Sequence, residues 1–304
     1  MSIKARGLTK YYGKQKALDS VSFEVKPGKI VGFIGPNGAG KTTAMKILTG
    51  YMMPSSGEAW INGRNALEEI LEIRKDIGYL PEHNPLYDHM YIKEYLEYVS
   101  GLYQLGSKTV ERINEVIDLT GLEKEKTKKI QTLSKGYRQR VGLAQAIIHD
   151  PGVLILDEPT TGLDPNQIAE IRNLISRLGE EKTVLLSTHI MQEVEAICDR
   201  IIVINNGRIV ADDKVENISS QLEENKQTVQ VEFDREVREE NLSEIEGVNK
   251  IRKIDAKNWL LEGMDHRDIR QQIFDFAVQS GLSVLSMQKK EKSLEQVFQD
   301  LTRE

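Results

Sequence analysis

Apolar positions follow two different periods along the chain, and the changes of period mark its elements. Ser20–Val25 alternates as a strand does, and Pro27-Gly28 ends it with a turn. Lys29–Ile34 is an almost unbroken apolar run, the pattern of a strand buried on both faces. A Gly-rich loop follows, then Thr42–Thr49, which suits a helix. Glu58–Asn62 returns to strand, with Asn62-Gly63 as a hairpin turn. Residues 84–150 take mostly helical spacing. Tyr95, Tyr98, Val99, Leu102 and Leu105 fall on one stripe, and Val110, Ile113, Val116 and Ile117 on another. The charged run Glu123–Lys126 reads as a solvated helix end or loop. Strand patterns resume at Val153–Leu156, Thr183–Ser187 and Ile201–Ile204, with an amphipathic helix over Ile168–Leu178. Strand, helix, strand predicts a parallel α/β sheet.

The pattern shifts near residue 211. Ala211–Gln227 is polar and charged, with only Val215, Ile218 and Leu222 apolar, and reads as a linker with a short helix. Beyond it Thr228–Phe233 alternates strictly. A helix around Glu239–Ile245, strands near Asn249–Ile254 and Asn258–Leu261, a helix over Asp268–Ser280 and a strand at Ser283–Gln288 follow. That order, β-α-β-β-α-β, predicts a small ferredoxin-like α+β domain. Ser293 and Gln296 fit a capping box at the start of a last helix striped by Leu294, Val297, Phe298 and Leu301. The expected domains are therefore 1–220, with a helical part at about 84–150, and 221–304. The tail carries no chemical constellation. Trp60 and Trp259 lie in strand patterns and are expected in the core.

Composition narrows the class. The 304 residues are 39% hydrophobic and 29% charged, as in a soluble globular protein. The net charge of −6 provides no global basic field, which argues against nucleic acid as the main ligand. Cys198 is the only cysteine, so no intrachain disulfide forms, which fits a reducing compartment. The start lacks a secretory apolar stretch, and no apolar run approaches the roughly 20 residues that span a bilayer. Any membrane connection is expected through a partner.

The decisive string is Gly35-Pro36-Asn37-Gly38-Ala39-Gly40-Lys41-Thr42. It fits G-x-x-x-x-G-K-[ST], the phosphate-binding loop, with a strand before it and a helix after it. Its glycines let several N–H groups point into one concavity, and the helix start adds its positive dipole end. Lys41 is expected to reach the β- and γ-phosphates, and the Thr42 hydroxyl to hold Mg²⁺. A second piece, Val153–Glu158, is an apolar strand ending in two carboxylates, which are costly if buried without partners. Beside a phosphate loop, Asp157 is expected to hold Mg²⁺ and Glu158 to polarise the attacking water.

Together these pieces resemble the ATP-binding subunit of an ABC transporter. Leu133-Ser134-Lys135-Gly136-Tyr137-Arg138-Gln139-Arg140 is similar to the family's signature loop, normally LSGGQ followed by a basic helix. Thr161-Gly162-Leu163-Asp164 resembles the loop after the magnesium strand, Ser187-Thr188-His189 the switch-histidine loop, and Tyr12 the aromatic that stacks on adenine. The resemblance covers about residues 2–220 and implies the P-loop NTPase fold of the ABC type. It assigns nucleotide contacts to Tyr12, Gly35, Pro36, Asn37, Gly38, Ala39, Gly40, Lys41, Thr42 and Thr43, with Ser134 and Gly136 of a second copy completing the site. Glu158, His189 and Lys41 are the expected catalytic residues, with ATP and Mg²⁺ bound. The expected partners are a second ATP-binding subunit, paired head to tail, and a separate membrane permease, at the cytoplasmic face of the inner membrane.

Two departures stand out. Lys135 and Tyr137 replace the family's usual Gly and Gln, while Ser134 and Gly136 are retained. Glu82, in Gly78–Glu82, stands where the family usually has a Gln that ligates Mg²⁺, and its carboxylate can take that role. The strings Ile77–Tyr87 and Ser293–Thr302 resemble bacterial exporter ATPases whose permease is a separate chain, with the gliding-motility-associated ABC ATPase subunits as nearest likeness. As in those relatives, the tail is expected to stabilise a dimer or tune its opening. A soluble ABC-type ATPase acting on ribosomes or nucleic acid is the competing reading. It is disfavoured by the acidic balance, the single motif set and the absence of sustained heptads.

Overall fold

Hydrophobic runs and turn residues divide the first 221 residues into alternating strands and helices. In order these are β1 (Ile3–Tyr12), β2 (Gln15–Val25), β3 (Ile30–Ile34), α1 (Lys41–Leu48), β4 (Ser56–Ile61), β5 (Arg64–Asn65), α2 (Ile70–Asp76) and β6 (Ile77–Leu80). Then come α3 (Ile92–Leu102), α4 (Thr109–Leu119), α5 (Lys135–Ile147), β7 (Val153–Asp157), α6 (Pro165–Gly179), β8 (Thr183–Thr188), α7 (Met191–Ile197), β9 (Arg200–Asn205), β10 (Arg208–Lys214) and α8 (Val215–Gln221). The computed structural model describes residues 2–221, 228–264, 268–290 and 294–302. The chain folds as two compact units, Met1–Val215 and Glu216–Arg303.

The first unit holds two sheets. Strands β9, β3, β8, β7 and β6 run parallel, with β10 antiparallel at one edge. Every residue of β3, β7 and β8 is buried, as their unbroken apolar runs require. The second sheet is antiparallel, in the order β2-β1-β4-β5. Helix α1 packs against strands of both sheets. Its Ala44, Met45, Ile47 and Leu48 share one core with Phe23, Phe33 and Ile61. The helix that starts at the phosphate loop is thus held from two sides.

The stretch 84–150 is mostly helical, as its spacing predicts. On α3, Ile92, Tyr95, Leu96 and Val99 are buried, whereas Tyr98 and Leu102 face solvent and Leu105 lies past the helix end. Two expectations are corrected. Ala211–Lys214 is not linker but the end of β10, whose polar residues are tolerated because it is an edge strand pairing only with β9. Trp60 is half-buried rather than core, with the Lys4 ammonium 5.8 Å from its ring centroid.

The second unit runs β11 (Thr228–Phe233), α9 (Glu239–Leu242), β12 (Val248–Lys253), β13 (Asn258–Gly263), α10 (Arg270–Gln279), β14 (Val284–Lys290) and α11 (Leu294–Thr302). Its antiparallel sheet has the order β12-β13-β11-β14, the ferredoxin-like arrangement. Val229, Val231 and Phe233 share one core with fully buried Trp259, the cross-strand partner of Val231. Ser293 of the expected capping box lies outside the described residues.

One contact ties the helical stretch to the parallel sheet. The Tyr103 and His149 rings stack with centroids 3.7 Å apart, and His149 Nε2 lies 3.0 Å from the Ile77 carbonyl oxygen. Arg112 donates to the Ile147 and Ile148 carbonyls at the end of α5. Burial pushes the His149 pKa down to about 4; the Ile77 carbonyl and Asp150 oppose this, while Arg112 and Lys182 add to it. A histidine held neutral by folding contributes stability that is complete above its ordinary pKa of 6.5 and is lost as pH falls toward 4. His149→Phe, which keeps the stack, should remove about 1–3 kcal/mol of that acid loss after allowance for partial exposure. Urea unfolding at pH 7 and pH 4.5 checks this; equal acid losses in both proteins would refute it.

Candidate active site

The phosphate loop joins the end of β3 to α1, and two of its glycines are required by their neighbours. A Cβ on Gly35 would collide with the Ile204 carbonyl of β9. Gly40, the N-cap of α1, has φ 111°, and a Cβ there would lie 2.5 Å from the Ala17 carbonyl oxygen. The chain therefore wraps tightly over the first turn of α1, whose N–H groups lack intrahelical partners. Lys41 is 7% exposed, and its ammonium donates to the Gly35 carbonyl at 2.8 Å. The same nitrogen is 3.6 Å from Glu158 Oε1.

The facing wall comes from the ends of β7 and β8, whose register sets Asp157 opposite Ser187. Asp157 is fully buried, and its Oδ1 accepts a 2.6 Å hydrogen bond from the Ser187 hydroxyl. Ser187 Oγ also accepts the Glu158 N–H at 2.9 Å, so one hydroxyl orients both acidic residues. Glu158 has φ 52°, a strained conformation for a residue with a side chain. Its Oε2 accepts from Thr161 Oγ1 at 3.1 Å and lies 2.9 Å from His189 Nδ1. Lys41, Glu158, Thr161 and His189 thus form one connected network.

These groups line a cleft of about 490 Å³ with Tyr12, Asn37, Gly38, Ala39, Gly40, Thr42, Thr43 and Glu82. Tyr12 is 46% exposed at its rim, the surface an aromatic needs in order to stack on a planar ring. Gly35 and Pro36 stand behind the loop as carbonyl acceptors for Lys41. Ser134 and Gly136 are not part of this cleft. They lie at the start of α5, where Ser134 Oγ accepts the Tyr137 N–H. The motifs of one chain therefore form two separate places, not one.

The donor set fits a magnesium ion. Asp157 Oδ2 is buried without a hydrogen-bond partner. Burial raises the pKa of this carboxyl, while the Ser187 and Thr42 hydroxyls beside it pull the other way; Glu82 and Glu158 push it further up. A cation would relieve that cost. No group of three or more His, Cys, Asp or Glu side chains among the described residues could hold a metal ion. Mg²⁺ takes one or two protein oxygens and completes its shell with water and phosphate, and the orphaned Asp157 Oδ2 with the Thr42 hydroxyl beside that carboxylate are oxygens of that kind.

Sequence reasoning named these residues, placed Ser187 and Thr161 in family strings without a role of their own, and missed Gln15 and Ala17. Ser187 sits inside a string already noted, yet its bridging role exists only once β7 and β8 pair. Gln15 and Ala17 line the cleft from β2 and carry no local signal of that.

Asp157→Asn removes a buried carboxylate whose Oδ2 has no hydrogen-bond partner. It should raise the melting temperature of the nucleotide-free protein by about 2–4 °C, for a gain near 1 kcal/mol. It should also abolish any stabilisation by Mg²⁺ in the presence of nucleotide. Calorimetry checks both, and an unchanged Mg²⁺ effect would remove Asp157 from the metal site.

Comparison with known proteins agrees with this geometry. The family model for the ABC transporter matches residues 18–161. The uncharacterised ABC transporter ATP-binding protein YxlF of Bacillus subtilis is 34% identical over 292 residues, covering 96% of each chain. The bacitracin transport ATP-binding protein BcrA of Bacillus licheniformis is 40% identical over 210 residues, covering 68% of each. Among solved structures, a dimeric post-hydrolysis state of the ATP-binding cassette MJ0796 bound to ADP and Pi superposes with TM-score 0.65 at 28% identity, over 70% of this chain and 98% of that one. With the phosphate loop, Glu158 and His189 lining one cleft and Asp157 buried beside them, the chain belongs to the ABC transporter ATP-binding proteins and is an ATPase of that family.

Proposed function

We propose that this ATPase is the engine of an exporter, pairing head to tail with a second copy around ATP and Mg²⁺ and driving a separate membrane permease. The observation that carries this reading is the separation of Ser134 and Gly136 from the cleft that holds Lys41, Glu158 and His189. Two phosphate-directed surfaces on one chain, facing different places, meet around the same nucleotide when two copies face each other. The dimeric cassette MJ0796 supports the pairing, and the bacitracin transport relative supports a transport role, with export resting on the resemblance of the strings Ile77–Tyr87 and Ser293–Thr302 to exporter ATPases. The likeness to gliding-motility-associated ATPases rests on the strings Ile77–Tyr87 and Ser293–Thr302.

Each residue has a defined task. The phosphate loop, Gly35 to Thr43, wraps the phosphates with backbone N–H groups, and Tyr12 stacks on adenine. Lys41 exchanges its carbonyl partners and Glu158 for the β- and γ-phosphates. Thr42 and Asp157, with Glu82 at the rim, would hold Mg²⁺, which would neutralise charge developing on the phosphates. Glu158 accepts the proton of the attacking water. His189, on Glu158 in the nucleotide-free arrangement, contacts the γ-phosphate and senses it. Ser134 and the Gly136 N–H of the second copy close the site.

Coupling to the permease is assigned to the helical stretch. Tyr87, Tyr91, Tyr98 and Leu102 are 44–65% exposed, and the Tyr87 ring lies 5.5 Å from that of Tyr98. No helix among the described residues is long and apolar enough to cross a membrane, so the permease is a separate chain in this reading. It sits the ATPase at the cytoplasmic face of the inner membrane. The second unit, which gathers no chemical constellation among the described residues, is assigned to stabilising the pair or tuning its opening.

Lys41→Ala removes the fixed positive charge from the phosphates and should weaken ATP binding and turnover together. Nucleotide affinity and phosphate release measure this; wild-type values for both would refute the assignment. Glu158→Gln should keep ATP binding, slow hydrolysis by roughly 10²–10⁴-fold and accumulate as an ATP-bound dimer on a sizing column. A monomer at saturating ATP would refute the head-to-tail pairing, and near-normal turnover would refute the general base.

A further inference from the structure

Two loops outside the phosphate loop are joined by a reciprocal contact. The first is the signature loop at the start of α5. The second, Thr161–Asp164, joins Glu158 to α6. Lys135 lies over Gly162, with its Cε 3.1 Å from where a Cβ on that glycine would stand and its ammonium closer still. In return Gln167, on the first turn of α6, lies over Gly136, with its side-chain amide carbon 2.6 Å from a Cβ position there. Each glycine leaves room for the other loop's long side chain. Gly162 has φ 73°, so its backbone also needs the missing Cβ.

The rest of both helix starts holds this pair in place. Asp164 caps α6 by accepting the Asn166 and Gln167 N–H groups at 3.0 Å each, which fixes the root of the Gln167 side chain. One turn further along both helices, Arg140 pairs with Glu170. At the other end the contact reaches the hydrolytic carboxylate. Thr161 donates its hydroxyl to Glu158 Oε2 at 3.1 Å and its N–H to the Glu158 carbonyl at 3.2 Å. Lys135, Glu82, Glu158 and Thr161 line one cleft beside the nucleotide cleft.

Building on the head-to-tail reading, we infer that Lys135 and Gln167 clasp the signature loop to the Thr161–Asp164 loop, so that engagement of the signature loop by the second copy's nucleotide sets the position of Glu158 in the same chain. Both are positioning residues; neither touches the reacting atoms. The usual glycine at position 135 has no side chain to make this contact, so the departure at Lys135 is a gain of a link rather than a loss of a phosphate contact. The link runs within one chain: Ser134 and Gly136 face the second copy's phosphates, and Lys135 passes their position to Gly162, Thr161 and Glu158.

Lys135→Ala and Gln167→Ala test this in the full chain by steady-state ATP hydrolysis. Each should lower kcat by about tenfold with KM for ATP and melting temperature unchanged, inside the roughly 10²-fold that an ångström of misplacement costs a catalytic group. The double variant should be no slower than the worse single one, because both act through one contact. Full kcat in the double variant overturns the clasp, as does a raised KM with normal kcat, which would mean direct phosphate binding. Mixed pairs in which one copy carries Glu158→Gln separate the routes. Lys135→Ala should slow turnover when placed on the copy that keeps Glu158 and have no effect on the other copy. The reverse asymmetry overturns the proposal. If Glu158→Gln fails to trap a pair in ATP, the head-to-tail reading fails by itself, and the kcat and KM of the uniform variants then decide the clasp alone.

Discussion

The parallel register of β3, β8 and β7 is the constraint on which the rest depends. Ile34 pairs with Thr188, and Asp157 pairs with Ser187, so three strands finish at one edge of the sheet. Each strand has an apolar middle, and β7 and β8 become polar at their last residues. The buried body supplies the stability, and the ends supply the charge. A slip of one residue between β7 and β8 would set Ser187 beside the wrong neighbour and leave the Asp157 carboxylate buried with neither oxygen satisfied.

Gathering charge at a buried edge has a cost, and the site meets it by pairing. Lys41 and Glu158 are both 7% exposed and stand within ion-pair distance, while Ser187, Thr161 and His189 occupy the remaining polar atoms of the two acidic residues. The Asp157 Oδ2 atom is left over, buried without a hydrogen-bond partner, and is the oxygen proposed for the cation. Every one of these contacts except Ser187 with Asp157 involves a group that the proposed mechanism asks to change partner. The nucleotide-free network is thus both a way to bury charge and a set of bonds ready for exchange.

The two units divide their physical duties differently. The first concentrates its polar residues at strand ends and helix starts. The second keeps Val229, Val231, Phe233 and Trp259 inside and places its charges outward, with no polar group gathered at a strand edge among the described residues. Its fold follows from alternation alone, which is why its element order was legible. The errors fell where alternation weakens. The edge strand β10 mixes Ala211, Asp212, Asp213 and Lys214, and its single partner strand stabilises it without a buried face. Trp60 lies on the solvent side of β4, where a lysine covers its ring.

By itself the sequence determined the local patterns in which the candidate site residues lie. A glycine-rich loop between a buried strand and a helix, an apolar strand ending in Asp157 and Glu158, and a strand ending before His189 are local patterns, because each depends only on neighbours in the chain. What only the tertiary structure decided is which of them meet. Ser187 holds the Asp157 carboxylate and the Glu158 N–H because β7 and β8 are adjacent, although 30 residues separate it from Asp157. Ser134 and Gly136 lie apart from the phosphate loop, and Lys135 and Gln167 meet across two loops. Such contacts are set by strand register and helix packing, and those follow from the shape of a shared core, which no single segment of the chain encodes.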